Sequence, residues 1–176
     1  MGKYERVLSK CRIWRVDFLI FVTLGTQDKP FSRLLEAVEK AITDGFINEE
    51  VVVQAGFTKY KSDKMRIFDL IGQEEFSAFM NQADLLITHG GVGSIITGLN
   101  LGKKVIAAPR LAQYGEHVND HQLQIIKSFE QKKYILPLYK FDELGTVLQA
   151  SKKFVPEKFE SNSLNFLDLI ERLIET

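Results

Sequence analysis

DLLITHGGVGSIITGLNLGKKVIAAP, residues 84–109, carries the pattern that decides the fold. An unbroken apolar run ends at His89, three glycines follow within four residues, helical periodicity begins, and a second apolar run ends at Pro109. Apolar runs without alternation mark strands buried on both faces of a parallel sheet. The segment therefore reads as strand, glycine turn, helix, strand.

The same alternation extends in both directions. Upstream, DFLIFVTLG reads as a strand, Gly25-Thr26-Gln27 as its turn and PFSRLLEAVEKAI as a helix. That helix has apolar positions at Phe31, Leu34, Leu35, Val38, Ala41 and Ile42, with Pro30 suited to its first turn. EVVVQAG is a strand, MRIFDLI a short strand with its loop, and QEEFSAFMNQA a helix. Downstream, GEHVNDHQLQIIKSFEQKK reads as a long helix opening near Gly115, YILPL as a short strand and FDELGTVLQAS as a helix. SNSLNFLDLIERLIET closes the chain as an amphipathic helix with Ser161 or Ser163 as N-cap. Such alternation predicts an α/β fold, a doubly wound and mostly parallel sheet with helices on both faces.

A chain of 176 residues, 45% hydrophobic and 26% charged, suits one domain, assigned to residues 18–176. Lys+Arg and Asp+Glu balance at 23 each, and the body has no basic patch interleaved with aromatics, so nucleic acid is not an expected partner. The single Cys11 excludes an internal disulfide and fits a reducing cytoplasm. No apolar stretch approaches the ~20 residues a membrane-spanning helix needs, and the start lacks the plan of a secretory signal. Residues 1–17 are assigned separately, because the first sixteen hold five Lys/Arg and one Glu. With Tyr4, Val7, Leu8, Cys11 and Trp14 at helical spacing, they read either as a solvated extra helix or start-site artefact, or as a basic amphipathic helix touching an anionic membrane or a partner.

Open α/β sheets bind ligands beyond the carboxyl ends of their strands, and three clusters fall there. His89-Gly90-Gly91-Val92-Gly93-Ser94 combines a sharp backbone turn with a helix N-terminus, whose partial positive charge favours a diphosphate. Ser94 adds a hydroxyl donor. The pattern is neither GxGxxG nor a Walker loop, so the alternatives are a nucleotide cradle or a plain glycine-rich turn. Gly25-Thr26-Gln27 follows the first strand and faces the same crevice. The third cluster packs Gln113, Glu116, His117, Asn119, Asp120, His121 and Gln122 together. On a helix from Gly115, Asn119 shares a face with Gln122, and His117 shares one with His121. Carboxamides and carboxylates suit sugar hydroxyls. A solvated helix start is the alternative, as is a metal pair at His117 and His121, which lack the HExxH order. No Ser-His-Asp arrangement is readable, so nucleophilic catalysis has no support.

FVTLGTQDKPFSRLLEAV, ADLLITHGGVGSIITGLNLGKKVIAAPR and YGEHVNDHQLQI, in that order, resemble the C-terminal-domain family of family 28 glycosyltransferases. More narrowly they resemble its small stand-alone members, donor-binding subunits of the UDP-GlcNAc transferase of asparagine-linked glycosylation and of bacterial capsule and exopolysaccharide counterparts. The resemblance covers about residues 18–150. It implies the C-terminal half of a GT-B glycosyltransferase, in which two Rossmann-like halves enclose the reaction cleft. The acceptor-binding half would then be a separate, membrane-anchored subunit, placing this chain at the inner face of the membrane through that partner.

By the same resemblance, Gly25, Thr26, Gly90, Gly91, Val92, Gly93 and Ser94 surround the donor diphosphate. Glu116, His117, Asn119, Asp120 and Gln122 meet the donor sugar and neighbouring phosphate. His89 is the local candidate for a diphosphate contact or proton role, its alternative being a histidine that caps the turn. Thr97 stands where many relatives carry a ribose-gripping acid, and the leader before Asp17 has no counterpart. The implied chemistry is inverting transfer from a UDP-sugar, a substrate and not a cofactor, to a hydroxyl of a lipid-diphosphate-linked saccharide, with no metal expected. The competing reading is a non-catalytic subunit that stabilises or recruits a membrane glycosyltransferase. A sugar-nucleotide epimerase or dehydrogenase would need GxGxxG after the first strand, where Gly25-Thr26-Gln27 stands instead.

Overall fold

The sequence LIFVT at Leu19–Thr23 (β1) is buried at every position, as the middle of a two-faced sheet requires. A computed structural model describes residues 18–160. The closing segment with Ser161 and Ser163, and the leader 1–17, lie outside the described residues.

β1 is followed by α1 (Ser32–Thr43), β2 (Glu50–Gln54), β3 (Arg66–Phe68), α2 (Gln73–Gln82), β4 (Leu85–His89), α3 (Val92–Asn100) and β5 (Lys104–Ala108). A 3-10 turn at Ala112–Tyr114, α4 (His121–Gln131), β6 (Leu136–Pro137), a second 3-10 turn at Phe141–Glu143 and α5 (Leu144–Lys153) complete the order. The strands form one sheet in the order β3-β2-β1-β4-β5-β6, every pairing parallel. This is the Rossmann-like, doubly wound arrangement that the alternation predicts.

Side-chain alternation along the strands divides the core in two. Ile20, Val22 and Leu24 pack with Leu34, Leu35 and Val38 of α1 and Leu144 and Leu148 of α5. Phe21 and Val52 face the other way, onto Met80 of α2, Ile95 and Leu99 of α3, and Ile126 and Phe129 of α4. The winding reverses between β1 and β4, which opens a crevice at their carboxyl ends. Gly98 fixes the depth of α3, since a Cβ there would press on Leu86 Cδ2 at 2.7 Å and Val105 Cγ2 at 3.0 Å.

Two local expectations are corrected. Pro30 lies outside α1, and Phe31 stands at the cap position with its N–H donating to Thr58 Oγ1 at 2.9 Å. More consequential is the long helix expected from Gly115. Gly115 is left-handed, at φ 69°, and the α-helix begins only at His121. Short polar side chains explain the delay by capturing backbone donors that a helix would use. Asp120 Oδ1 accepts the Ala112 N–H, His117 Nδ1 accepts that of Asn119, and Asn119 Oδ1 accepts that of His121. His117 and His121, and Asn119 and Gln122, therefore do not share a helical face.

Candidate functional site

A cleft of about 330 Å³ occupies the crevice at the carboxyl ends of the central strands. β1 contributes Thr23 and, from its loop, Gly25 and Thr26; β4 and α3 contribute His89, Gly91, Gly93 and Ser94. The other wall is Gln54 at the end of β2 with Leu70, Ile71, Gln73 and Phe76 from the β3–α2 connection. No charged side chain among the described residues lines it. An anion held here would be met by backbone dipoles, hydroxyls and carboxamides.

The donors come from the start of α3. Gly91 is its N-cap, in extended conformation at φ −79° and ψ 126°, and no side chain caps the helix. The first N–H groups of a helix have no partner within it, and here Gly93 and Ser94 bring theirs to the cleft wall. Gly93 leaves open space where a Cβ would stand. Gly90 and Val92, the other two members of the expected cradle, point elsewhere. The Gly90 N–H donates to Gln122 Oε1 at 3.0 Å, and Val92 packs against the second core.

His89 is held between two glycines. A Cβ on Gly25 would lie 2.5 Å from its Cε1, and one on Gly91 would collide with Nε2. Gly25 itself sits at φ 74°, where side chains are rarely tolerated. The ring is mostly enclosed, and burial first, then the Arg110 charge, pushes its pKa down to about 4. The imidazole is therefore neutral at pH 7, with one nitrogen able to donate and the other to accept.

The 115–122 segment lies beside this site, His117 being close enough to oppose charge on His89. None of Glu116, His117, Asn119, Asp120 and Gln122 lines the cleft itself. Glu116 is buried, and its carboxylate accepts from Arg33 Nε at 2.7 Å, Arg33 Nη2 at 2.6 Å and the Leu111 N–H at 3.1 Å. The Arg33 guanidinium stacks between the rings of Tyr114 and Phe141, at 3.9 and 4.2 Å. Gln122 is buried too, its Oε1 accepting from both Gly90 and Arg110 N–H at 3.0 Å. These two residues fasten the segment, while His117, Asn119 and Asp120 remain at its rim. Thr97 donates to the Gly93 carbonyl at 2.8 Å and lines a neighbouring groove between α2 and α3.

Sequence reasoning missed Arg110, which lies only 1% exposed. Its Nη1 donates to the Lys29 carbonyl at 2.7 Å and the Glu116 carbonyl at 3.3 Å, and its Nη2 to the Leu24 carbonyl at 2.7 Å. One guanidinium thus ties the loop after β1 to the segment after β5. Its signal was an arginine directly after the apolar strand end AAP. The Leu70, Ile71, Gln54 and Gln73 wall was also missed, because no motif marks it.

The profile described as glycosyltransferase family 28 C-terminal domain matches residues 19–171. The chain is 28% identical over 168 residues to the UDP-N-acetylglucosamine transferase subunit ALG13 of Yarrowia lipolytica, covering 89% of this chain and 83% of that protein. The corresponding subunit of Debaryomyces hansenii matches at 26% over 94 residues, 53% of this chain and 43% of that one. Among solved structures, the solution structure of ALG13 superposes with TM-score 0.56 at 21% identity, over 90% of this chain and 96% of that one. The glycosyltransferase of kitacinnamycin gives TM-score 0.59 at 19% identity, over 92% of this chain and 44% of that one. SnogD from Streptomyces nogalater gives 0.54 at 18%, over 90% and 38%. The chain spans less than half the length of the last two enzymes, and at these identities the structural likeness speaks to fold.

Proposed function

The chain belongs to the glycosyltransferase family 28 C-terminal domain family, and from that premise we propose that it is the donor-binding, catalytic subunit of a two-component inverting glycosyltransferase. It binds a UDP-sugar. With a membrane-anchored partner, it transfers the sugar to a hydroxyl of a lipid-diphosphate-linked saccharide during surface polysaccharide assembly. The relatives named for UDP-N-acetylglucosamine transfer support a UDP donor and make UDP-GlcNAc the first to test.

The observation that carries the reading is the uncapped start of α3 opening into an uncharged cleft at the switch point. In the transfer, an acceptor hydroxyl attacks the anomeric carbon from the face opposite the leaving UDP. Negative charge grows on the diphosphate as the glycosidic bond breaks. Preorganised N–H groups of Gly93 and Ser94, the Ser94 hydroxyl and the helix dipole stabilise it without reorganising. Neutral His89 adds one hydrogen bond at the same end. The rim residues His117, Asn119 and Asp120 face the sugar side, where their paired donors and acceptors suit hydroxyl groups. The base that takes the acceptor proton is assigned to no residue of this chain.

Among the described residues, no helix is long and apolar enough to cross a membrane. We place the chain at the inner membrane face through the partner. The test is a melting-temperature screen of the full chain with UDP, UDP-GlcNAc, UDP-glucose, UDP-galactose and UDP-glucuronate. Binding raises the midpoint by mass action. Gly93→Asp, in open space, leaves the fold intact and places a carboxylate where the diphosphate sits, abolishing the shift. A folded wild-type chain indifferent to all five, with and without its partner, overturns the donor reading.

A further inference from the structure

Two glutamines are buried to the same extent, each 5% exposed, but they stand in opposite situations. Gln122 is satisfied: its Oε1 accepts two backbone N–H groups. Gln54, the last residue of β2, has a satisfied main chain, its carbonyl accepting from the Leu24 N–H at 3.0 Å. Its carboxamide, however, has no hydrogen-bond partner among the described residues and lines the cleft. Among the described residues the enclosed side-chain polar atom without a partner is Arg110 Nε, so the Gln54 amide is reached from the cleft and bonds whatever enters it. Gln54 continues the apolar row of Val52 and stands in register with Thr23, as Val52 does with Phe21. The two polar residues replace the apolar rows where the cleft begins.

Position within the cleft says what such a group meets. The anion-binding end lies at β4 and α3; β1 separates β4 from β2, so two strand spacings, about 10 Å, reach Gln54. Beyond it stand Leu70, Ile71 and Phe76, an apolar wall suited to the faces of a flat ring. A nucleoside diphosphate laid along this gradient puts its phosphates on α3 and its base against that wall. Gln54 then lies beneath the nucleoside.

We propose that Gln54 is a donor-binding residue that hydrogen-bonds the nucleoside of the UDP-sugar. The inference rests on the donor reading above and adds a residue that no motif marks. A carboxamide offers a donor and an acceptor side by side, which matches the imide edge of uracil and equally the vicinal hydroxyls of ribose. Of the other polar residues on this side of the cleft, Thr23 Oγ1 accepts the Gly25 N–H and Gln73 is exposed, so the buried carboxamide facing the nucleoside is that of Gln54.

The test measures the full chain and its Gln54→Met variant by calorimetry with UDP and 2′-deoxy-UDP, and by melting shift with millimolar pyrophosphate. Methionine keeps the length and removes both donor and acceptor. Tenfold or greater loss of UDP affinity is expected, with an unchanged pyrophosphate shift. If the wild-type preference for UDP over 2′-deoxy-UDP disappears in the variant, the partner is the ribose; equal loss for both nucleotides identifies the base. Gln54→Asn, one methylene shorter with the amide retained, gives an intermediate loss and serves if the methionine variant does not fold. UDP affinity within twofold of wild type, or equal loss for pyrophosphate, overturns the assignment. A wild-type chain that binds no uridine nucleotide overturns the donor reading, and this inference with it.

Discussion

Replacing Gly91 by alanine places a methyl group against the imidazole of His89, where an added Cβ collides with Nε2 and comes within 2.9 Å of Cδ2 and Cε1. The backbone there, φ −79° and ψ 126°, admits any residue, so the whole penalty is steric. Overpacking of this kind costs about 1–3 kcal/mol. For a chain of this size, that lowers the melting midpoint by about 2–12 °C at 2–4 °C per kcal/mol. Gly25→Ala meets the same ring, but from φ 74°, and adds about 1–2 kcal/mol of left-handed strain. The histidine can be removed separately. In a His89→Ala background the Gly91→Ala penalty falls to near zero, whereas Gly25→Ala keeps its backbone part. Urea unfolding of the single and double variants gives the coupling energies directly. An undiminished Gly91→Ala penalty without His89 refutes the account of these glycines as the two walls of an imidazole slot.

Further outcomes follow from the same geometry. His89 is pushed down to about 4 from an unfolded value near 6.5, so the unfolded chain binds the extra proton first as pH falls. Its contribution, up to about 3 kcal/mol, is present above pH 6.5, is lost between about 6.5 and 4, and does not change further below. His89→Gln flattens that part of a stability–pH curve from urea midpoints, and an unchanged slope would contradict the burial of a neutral ring. Glu116→Ala leaves Arg33 and the Leu111 N–H without their acceptor and lowers stability by about 2–4 kcal/mol, the 26% exposure of Arg33 moderating a buried-pair loss. The folded fraction should still bind UDP, as calorimetry will show. Gly93→Ala places its methyl in open space and gains roughly 0.5–1 kcal/mol of helix stability. It nevertheless weakens UDP binding, because the methyl occupies cleft wall. A raised midpoint with undiminished affinity would remove Gly93 from the cradle.

The succession of strands along the chain and their burial on both faces were determined by the sequence itself. LIFVT, VVV and LLIT are apolar without alternation, and only a sheet covered on both faces hides such runs from water. The glycine turn at 90–93 and its helix were legible for the same local reason. What the sequence could not show is which polar side chains turn inward. Asn119 with Gln122, and His117 with His121, read as pairs sharing a helical face, yet side chains of the segment hold the backbone out of a helix until His121. Glu116 and Gln122 then answer partners more than thirty residues away, Arg33 and Gly90. Periodicity reports only on neighbours along the chain. Arg110 binding the Leu24 carbonyl, and Gln54 left unpaired beneath the cleft, are products of strand order, which brings β2, β1, β4 and β5 side by side. Local pattern fixes which elements form, whereas the pairing of buried polar groups depends on what the finished sheet sets opposite them.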